Sequence, residues 1–259
     1  MIFKPGFEIT PTKNPLGFEY GENCFGPTVE NRTLDSIRKN LLDQDCSGPE
    51  VVYSIAMDVG NKEDKQEMLK RNLLYGAVTY ANGKLGREPI RSQGHIHAIS
   101  PSCGKSTCEV YEIWEGKCYI YMQESAKDNP GRCFAVLAEQ GDVVIVPPNW
   151  AHATMSADVN QNVTFGAWCV RDFGFDYVDV RAHKGLAYFP IVNENNEITF
   201  MENNNYQKSE LIIKKPREYK EFNIEKNKSI YAQFKQDPDR FLFVSNPDVA
   251  KDKWINFLP

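Results

Sequence analysis

The apolar positions of the chain fall into two regimes. Between residues 33 and 42 they recur at Leu34, Ile37, Leu41 and Leu42. That is the spacing of one helical face, with Thr33 placed as its N-cap. The charged stretch 63–72 reads as a second short helix. Segment 51–57 alternates like a strand, and from residue 73 the pattern becomes a series of short runs. These are 74–80, 91–98, 109–114, 117–123, 132–138, 142–146, 151–155, 163–170 and 188–192, rich in β-branched and aromatic residues. Turn chemistry separates them, as at Asn82-Gly83, Asp128-Asn129-Pro130-Gly131 and Gln140-Gly141. So many runs with no helix-length pattern between them predict an all-β fold, an antiparallel barrel or sandwich with a few peripheral helices.

Residues 1–28 are rich in Gly, Pro and Asn and read as an irregular arm. The expected organisation is an N-terminal arm and helix over 1–50, a barrel over 51–206 and an extension over 207–259. The extension is more charged, has a helical spacing near 230–235, and is expected to pack on the outside of the barrel or on a partner subunit.

Composition narrows the function. The 259 residues are 41% hydrophobic and 25% charged, which suits a soluble globular protein. The 30 basic residues against 35 acidic ones leave a net charge of −5, which argues against nucleic acid or anionic membrane as a partner. No apolar run is long enough to span a bilayer, and residues 1–10 lack the pattern of a signal peptide, so a cytoplasmic location is expected. The seven cysteines are odd in number and read as reduced thiols. Cys103 and Cys108 lack the second pair that a zinc loop needs.

Three of the four histidines stand in one arrangement. His95 and His97 form His-x-His, which on a strand puts both imidazoles on one face. Glu109 follows, seven residues before Gly116. His152 closes the run Pro147-Pro148-Asn149-Trp150-Ala151-His152. Three imidazoles and a carboxylate suit one divalent ion of the Fe, Mn, Zn, Co or Ni class. Glu109 shares a strand face with Tyr111 and Ile113, whereas Glu112 lies on the other face with Val110 and Trp114. His183 reads as a solvated loop histidine.

This joint pattern is similar to the double motif of the cupin superfamily. Asn149 stands where that motif has Gly, a mild change at a left-handed turn. Pro89 replaces a usual Gly. Eleven residues separate His97 from Glu109 where the motif has three or four, so 99–107 looks like an inserted surface loop. Gly94-His95-Ile96-His97-Ala98, Glu109-Val110-Tyr111, Pro147-Pro148-Asn149-Trp150-Ala151-His152 and Asp176-Tyr177 resemble one family within it, the metal-dependent, cupin-type glucose-6-phosphate isomerases. The resemblance spans about residues 30–206. It implies a cupin double-stranded β-helix and interconversion of glucose 6-phosphate and fructose 6-phosphate through a metal-stabilised enediolate. It implies one metal ion per subunit, Fe2+ first, held by His95, His97, Glu109 and His152, and a homodimer. Glu109 is the implied base, with Tyr111, a metal-bound hydroxide or a hydride shift as alternatives. Tyr111 and Tyr177 are implied beside the substrate, and Thr79, Ser92 and Gly94 near its phosphate. Strand parity turns Ser92 away from His95, so that placement requires a bulge or backbone contacts. Phe175 stands where that family has a histidine. A different sugar phosphate, a cupin oxygenase or a sugar-binding cupin remain open as alternatives.

Overall fold

A computed structural model describes residues 3–259. Its centre is eight consecutive segments: β1 (Leu73–Tyr80), the stretch 91–97 ending in β2 (Ile96–His97), β3 (Glu109–Glu115), β4 (Lys117–Gln123), β5 (Cys133–Glu139), β6 (Val143–Val146), β7 (Ala151–Ser156) and β8 (Val163–Val170). One sheet runs β6-β3-β8-β1 and continues through Val51–Met57 and Glu30–Thr33. The other runs β7-β4-β5, with 91–97 joined to β7 at Arg91–Met155 and His95–His152. Within these eight segments the first lies beside the last, the second beside the seventh, the third beside the sixth and the fourth beside the fifth. That is the antiparallel jelly roll, in which a long hairpin folds over itself into two facing sheets. Leu211–Lys214 adds a parallel edge strand to β5.

Most strand expectations hold within a residue or two, but 91–98 is largely irregular, with only Ile96–His97 forming a strand. The segment 188–192 does not join the roll. It pairs with Ile198–Glu202 in a separate hairpin. The helical spacing at 33–42 becomes a short α-helix, Leu34–Ile37, capped by Thr33, and a 3-10 turn. The spacing near 230 becomes the helix Ile230–Gln236.

Period-2 alternation decides which residues enter the roll. Glu109, Tyr111 and Ile113 face inward from β3, beside Phe165, Ala167 and Cys169 of β8 and Leu74, Val78 and Tyr80 of β1. The outward residues are buried too. Tyr75, Val110, Trp114 and Trp168 sit beneath Tyr219, Phe222, Tyr231, Phe234 and Phe241 of the extension. Tyr231 stacks on Trp168 at 5.7 Å between ring centroids, and Phe234 meets the same indole at 4.6 Å. Each such aromatic contributes about 1.5–3 kcal/mol of burial. The extension therefore makes a second core on the back of the first sheet, which explains why β3 and β8 are buried on both faces.

Glu112 is caught in that second core at 1% exposure. Its carboxyl accepts the Ile230 N–H at 2.8 Å and the Trp114 Nε1–H at 3.3 Å. Burial outweighs these donors and pushes its pKa up from 4.5 to about 8. The folded state therefore holds a proton that the unfolded chain has released. The resulting stabilisation is complete below about pH 4.5 and is lost as pH rises through 8. Glu112→Gln, neutral at every pH, is expected to melt above wild type at pH 8–9, with the gap closing toward pH 5. Thermal melts of metal-free protein check this, and parallel pH profiles would mean that Glu112 does not titrate in this range.

Candidate metal centre

Three elements of the roll deliver four side chains able to ligate a metal to one point. His95 and His97 come from the irregular second segment, Glu109 from the start of β3 and His152 from β7. Their donor atoms all lie within 4.8 Å of one another. The turn before β7 places Asn149 at φ +68°, the left-handed geometry that asparagine tolerates. Gly94, at φ +85°, breaks strand parity ahead of His95. That break is why Ser92, Gln93, His95 and His97 all line the same cavity.

The imidazoles are oriented from behind. The Nδ1–H of His97 donates to the Thr107 carbonyl at 3.1 Å, and that of His152 to the Trp150 carbonyl at 3.0 Å. Both rings thus present Nε2 to the centre, as metal-ligating histidines do. His152 Nε2 stands 3.3 Å and His97 Nε2 3.2 Å from Glu109 Oε2. The buried Nε2 atoms of His95 and His97 make no hydrogen bond in the protein. Buried ring nitrogens without partners are costly, and here they converge with a carboxylate, so the set fits a divalent cation.

Glu109 is held at both oxygens. Tyr111 donates its hydroxyl to Oε2 at 2.7 Å, and Cys169 places its thiol 3.3 Å from Oε1. Burial alone would raise this carboxyl, but the imidazoles of His152 and His97 beside it override that and keep the pKa well below the usual range. Tyr111 moves the opposite way, raised well above 10 by burial and by the neighbouring carboxylate. His95 is held well below its ordinary value by burial and by the other two imidazoles, and so is neutral. The centre is one carboxylate, one protonated phenol and one neutral imidazole beside two more.

The cluster opens into a cleft. Ser92, Tyr111 and Tyr177 line it, with Tyr53, Tyr80, Gln93, Thr154 and Arg32. Two residues expected near the phosphate do not reach it. Thr79 faces the back of the sheet, where its hydroxyl meets Thr164 at 3.0 Å, because it alternates with the inward Val78 and Tyr80. Gly94 lies against Leu186, whose side chain a Cβ would meet at 2.9 Å. His183 is not a solvated loop residue. It caps the helix Val178–Ala182, stacks on Tyr206 at 4.2 Å and bonds Asp128 at 3.0 Å. Cys169 went unnoticed in the sequence, although its shared parity with Phe165 and Ala167 pointed inward.

The stretch 99–107 also departs from expectation. Although Ile99 and residues at its tip are exposed, Ser100, Ser106 and Thr107 are buried. Asp172 accepts from the Ser100 hydroxyl at 2.8 Å and the Ser102 N–H at 2.9 Å, and Ser106 accepts the Asn149 N–H at 3.0 Å. The insertion is a strapped loop whose last carbonyl orients His97.

The family model for glucose-6-phosphate isomerase matches residues 37–208. Proteins of that name from Pyrococcus horikoshii and Pyrococcus furiosus are each 30% identical to this chain. The aligned parts cover 54% and 56% of this chain and 67% and 70% of theirs. The one from Thermococcus kodakarensis is 27% identical, over 74% of this chain and 96% of its own. Among solved structures, an oxalate oxidase aligns at 13% identity and a TM-score of 0.33, over 42% of this chain and 47% of that one.

Two outcomes follow from the geometry. His97→Ala or His152→Ala is expected to lose bound metal while the melting temperature of metal-free protein stays close to wild type, since both apolar cores are independent of the ion. Metal content beside thermal melts checks this, and unfolding of the wild type on chelation would contradict it. Asp172→Ala is expected to weaken metal binding by about tenfold through the loosened His97, the usual scale for outer partners of a ligand. An unchanged metal affinity would separate the strap from the centre.

Proposed function

The chain belongs to the glucose-6-phosphate isomerase family, and from that premise we infer that it interconverts glucose 6-phosphate and fructose 6-phosphate in the cleft between its two sheets. The observation that carries this reading is the four-residue cluster at the cleft, all of it within the segment the family model matches. His95, His97, Glu109 and His152 would hold one divalent ion. When bound, such an ion stabilises negative charge on substrate oxygens as the carbonyl moves between C1 and C2.

The protein's own groups divide the remaining work. Glu109 is the proposed base: its carboxylate takes the proton from one carbon and returns it to the neighbouring one. Its low pKa makes the free carboxylate a weak base, and a substrate that excludes water from the cleft raises it. Tyr111 keeps its proton at neutral pH and fixes Oε2 by its 2.7 Å hydrogen bond. The Cys169 contact fixes the other oxygen. Tyr177 and Ser92 line the wall that would face the sugar.

We take the resident metal to be Fe2+, as the family resemblance implies; the donor set itself suits Mn2+, Zn2+, Ni2+ or Co2+ as well. The seven unpaired cysteines favour a reducing compartment, which supports a cytoplasmic location. No helix among the described residues is long and apolar enough to cross a membrane. Exposed Ile212 and Ile213 on the edge strand support pairing with a second copy, and a monomeric mass in solution would remove that part of the reading.

The decisive assay supplies metal-reconstituted protein with fructose 6-phosphate and couples product to glucose-6-phosphate oxidation. No conversion with any of Fe2+, Mn2+, Zn2+, Ni2+ or Co2+ would sink the assignment. Glu109→Gln is expected to keep much of the metal, and turnover per bound ion should fall by roughly 10²–10⁴-fold. Near-normal turnover per ion would move the base away from Glu109. Glu112→Gln, on the other face of β3, should leave turnover per ion unchanged.

A further inference from the structure

The described residues that line the cleft include one arginine and no lysine. That residue, Arg32, lies ahead of the matched segment 37–208, on the added strand Glu30–Thr33. Its strand shifts register between Arg32 and Thr33, opposite Tyr53 and Val51. Such a bulge re-aims a side chain. Here Arg32 reaches the wall that also holds Tyr53, Ser92 and Tyr177. The proximity is electrostatic as well as geometric. Burial raises the hydroxyl pKa of both Tyr53 and Tyr177, and the Arg32 charge opposes that rise at each.

A hexose 6-phosphate brings about −1.5 to −2 of charge into this cleft at neutral pH. Without a cation or several N–H donors, enclosing that charge is prohibitive. The residue types first expected at the phosphate do not supply this: Thr79 is turned to the back of the sheet and Gly94 sits under Leu186. Arg32 does, because its planar fork matches phosphate oxygens in a bidentate way. Its present partner is replaceable. Glu30 meets it at 2.5 Å, but the Glu30 side chain is 61% exposed, and solvent-exposed pairs of this kind are weak. Exchange of Glu30 for a phosphate therefore costs little.

We propose that Arg32 is the phosphate anchor of the cleft, with the Tyr53 hydroxyl and Ser92 beside it, so that the N-terminal strand sets the preference for phosphorylated sugars. This rests on the sugar-phosphate reading above.

The test uses full-length, metal-loaded protein and three variants. Arg32→Gln is expected to raise KM for fructose 6-phosphate by roughly 10- to 100-fold, the scale of hydrogen bonds to a charged group, with kcat held within a few-fold. Arg32→Lys should recover part of that loss. Glu30→Gln, which frees the guanidinium, should leave KM equal or lower. Calorimetric titration with inorganic phosphate gives a readout independent of turnover, and Arg32→Gln should weaken that binding comparably. An unchanged KM in Arg32→Gln, or a loss in Glu30→Gln as large as in Arg32→Gln, would overturn the proposal by making the pair purely structural. If wild type shows no isomerisation, the assignment of function fails, while the phosphate titration still decides whether Arg32 holds the anion.

Discussion

A carboxylate removed from water needs polar partners, and both oxygens of Glu109 have them. Tyr111 and the imidazoles of His97 and His152 approach Oε2, and Cys169 approaches Oε1. Apart from Tyr111, two residues along the same strand, these groups come from separate parts of the chain, so the roll must close before they meet the carboxylate. Conversely, the donors make an ionised Glu109 tolerable in an interior otherwise built from Ile, Val, Phe and Tyr. The strap at 99–107 and the turn at Asn149 serve the same end, since each supplies a carbonyl or a hydrogen bond that orients one of the imidazoles or the segment carrying it.

Strand β3 carries a second buried carboxylate, three residues away and facing the opposite direction. Glu109 is kept ionised by the imidazoles of His97 and His152 beside it, while Glu112, with two N–H donors and an aromatic surround, is pushed toward its neutral form. The same residue type in the same strand thus has two different protonation states, decided by what packs on each face. That division makes the back of the sheet structural and leaves the inner face for chemistry. It depends on the extension, because without Ile230 and its neighbours Glu112 would face water.

The two flanking segments and the loop at 99–107, which lies within the match, occupy different positions around the cleft. The N-terminal strand contributes the cleft's arginine, the insertion at 99–107 braces His97, and the extension backs the first sheet. Lys105 of the insertion pairs with Asp248 of the extension, which ties two of these segments together.

Much of this was legible in the residues themselves. The period-2 runs revealed the strands, and His-x-His, Glu109 and the run ending at His152 were enough to assemble the ligand set, because ligand spacing on strands is a local property. Even the choice of Glu109 over Glu112 followed from parity within one strand. What could not be read locally was what covers each face. Thr79, placed near the phosphate by family resemblance, packs instead against Thr164 of the neighbouring strand. His183 looked solvated until Tyr206 and Asp128 enclosed it. The loop at 99–107 looked free until Asp172, some seventy residues later, tied it down. Strand periodicity and ligand spacing act over a few residues, so the sequence alone determined most of the strands and the candidate metal-ligating set. Burial, pKa and the direction of Arg32 depend on partners distant in the chain, so only the closed tertiary structure decided them.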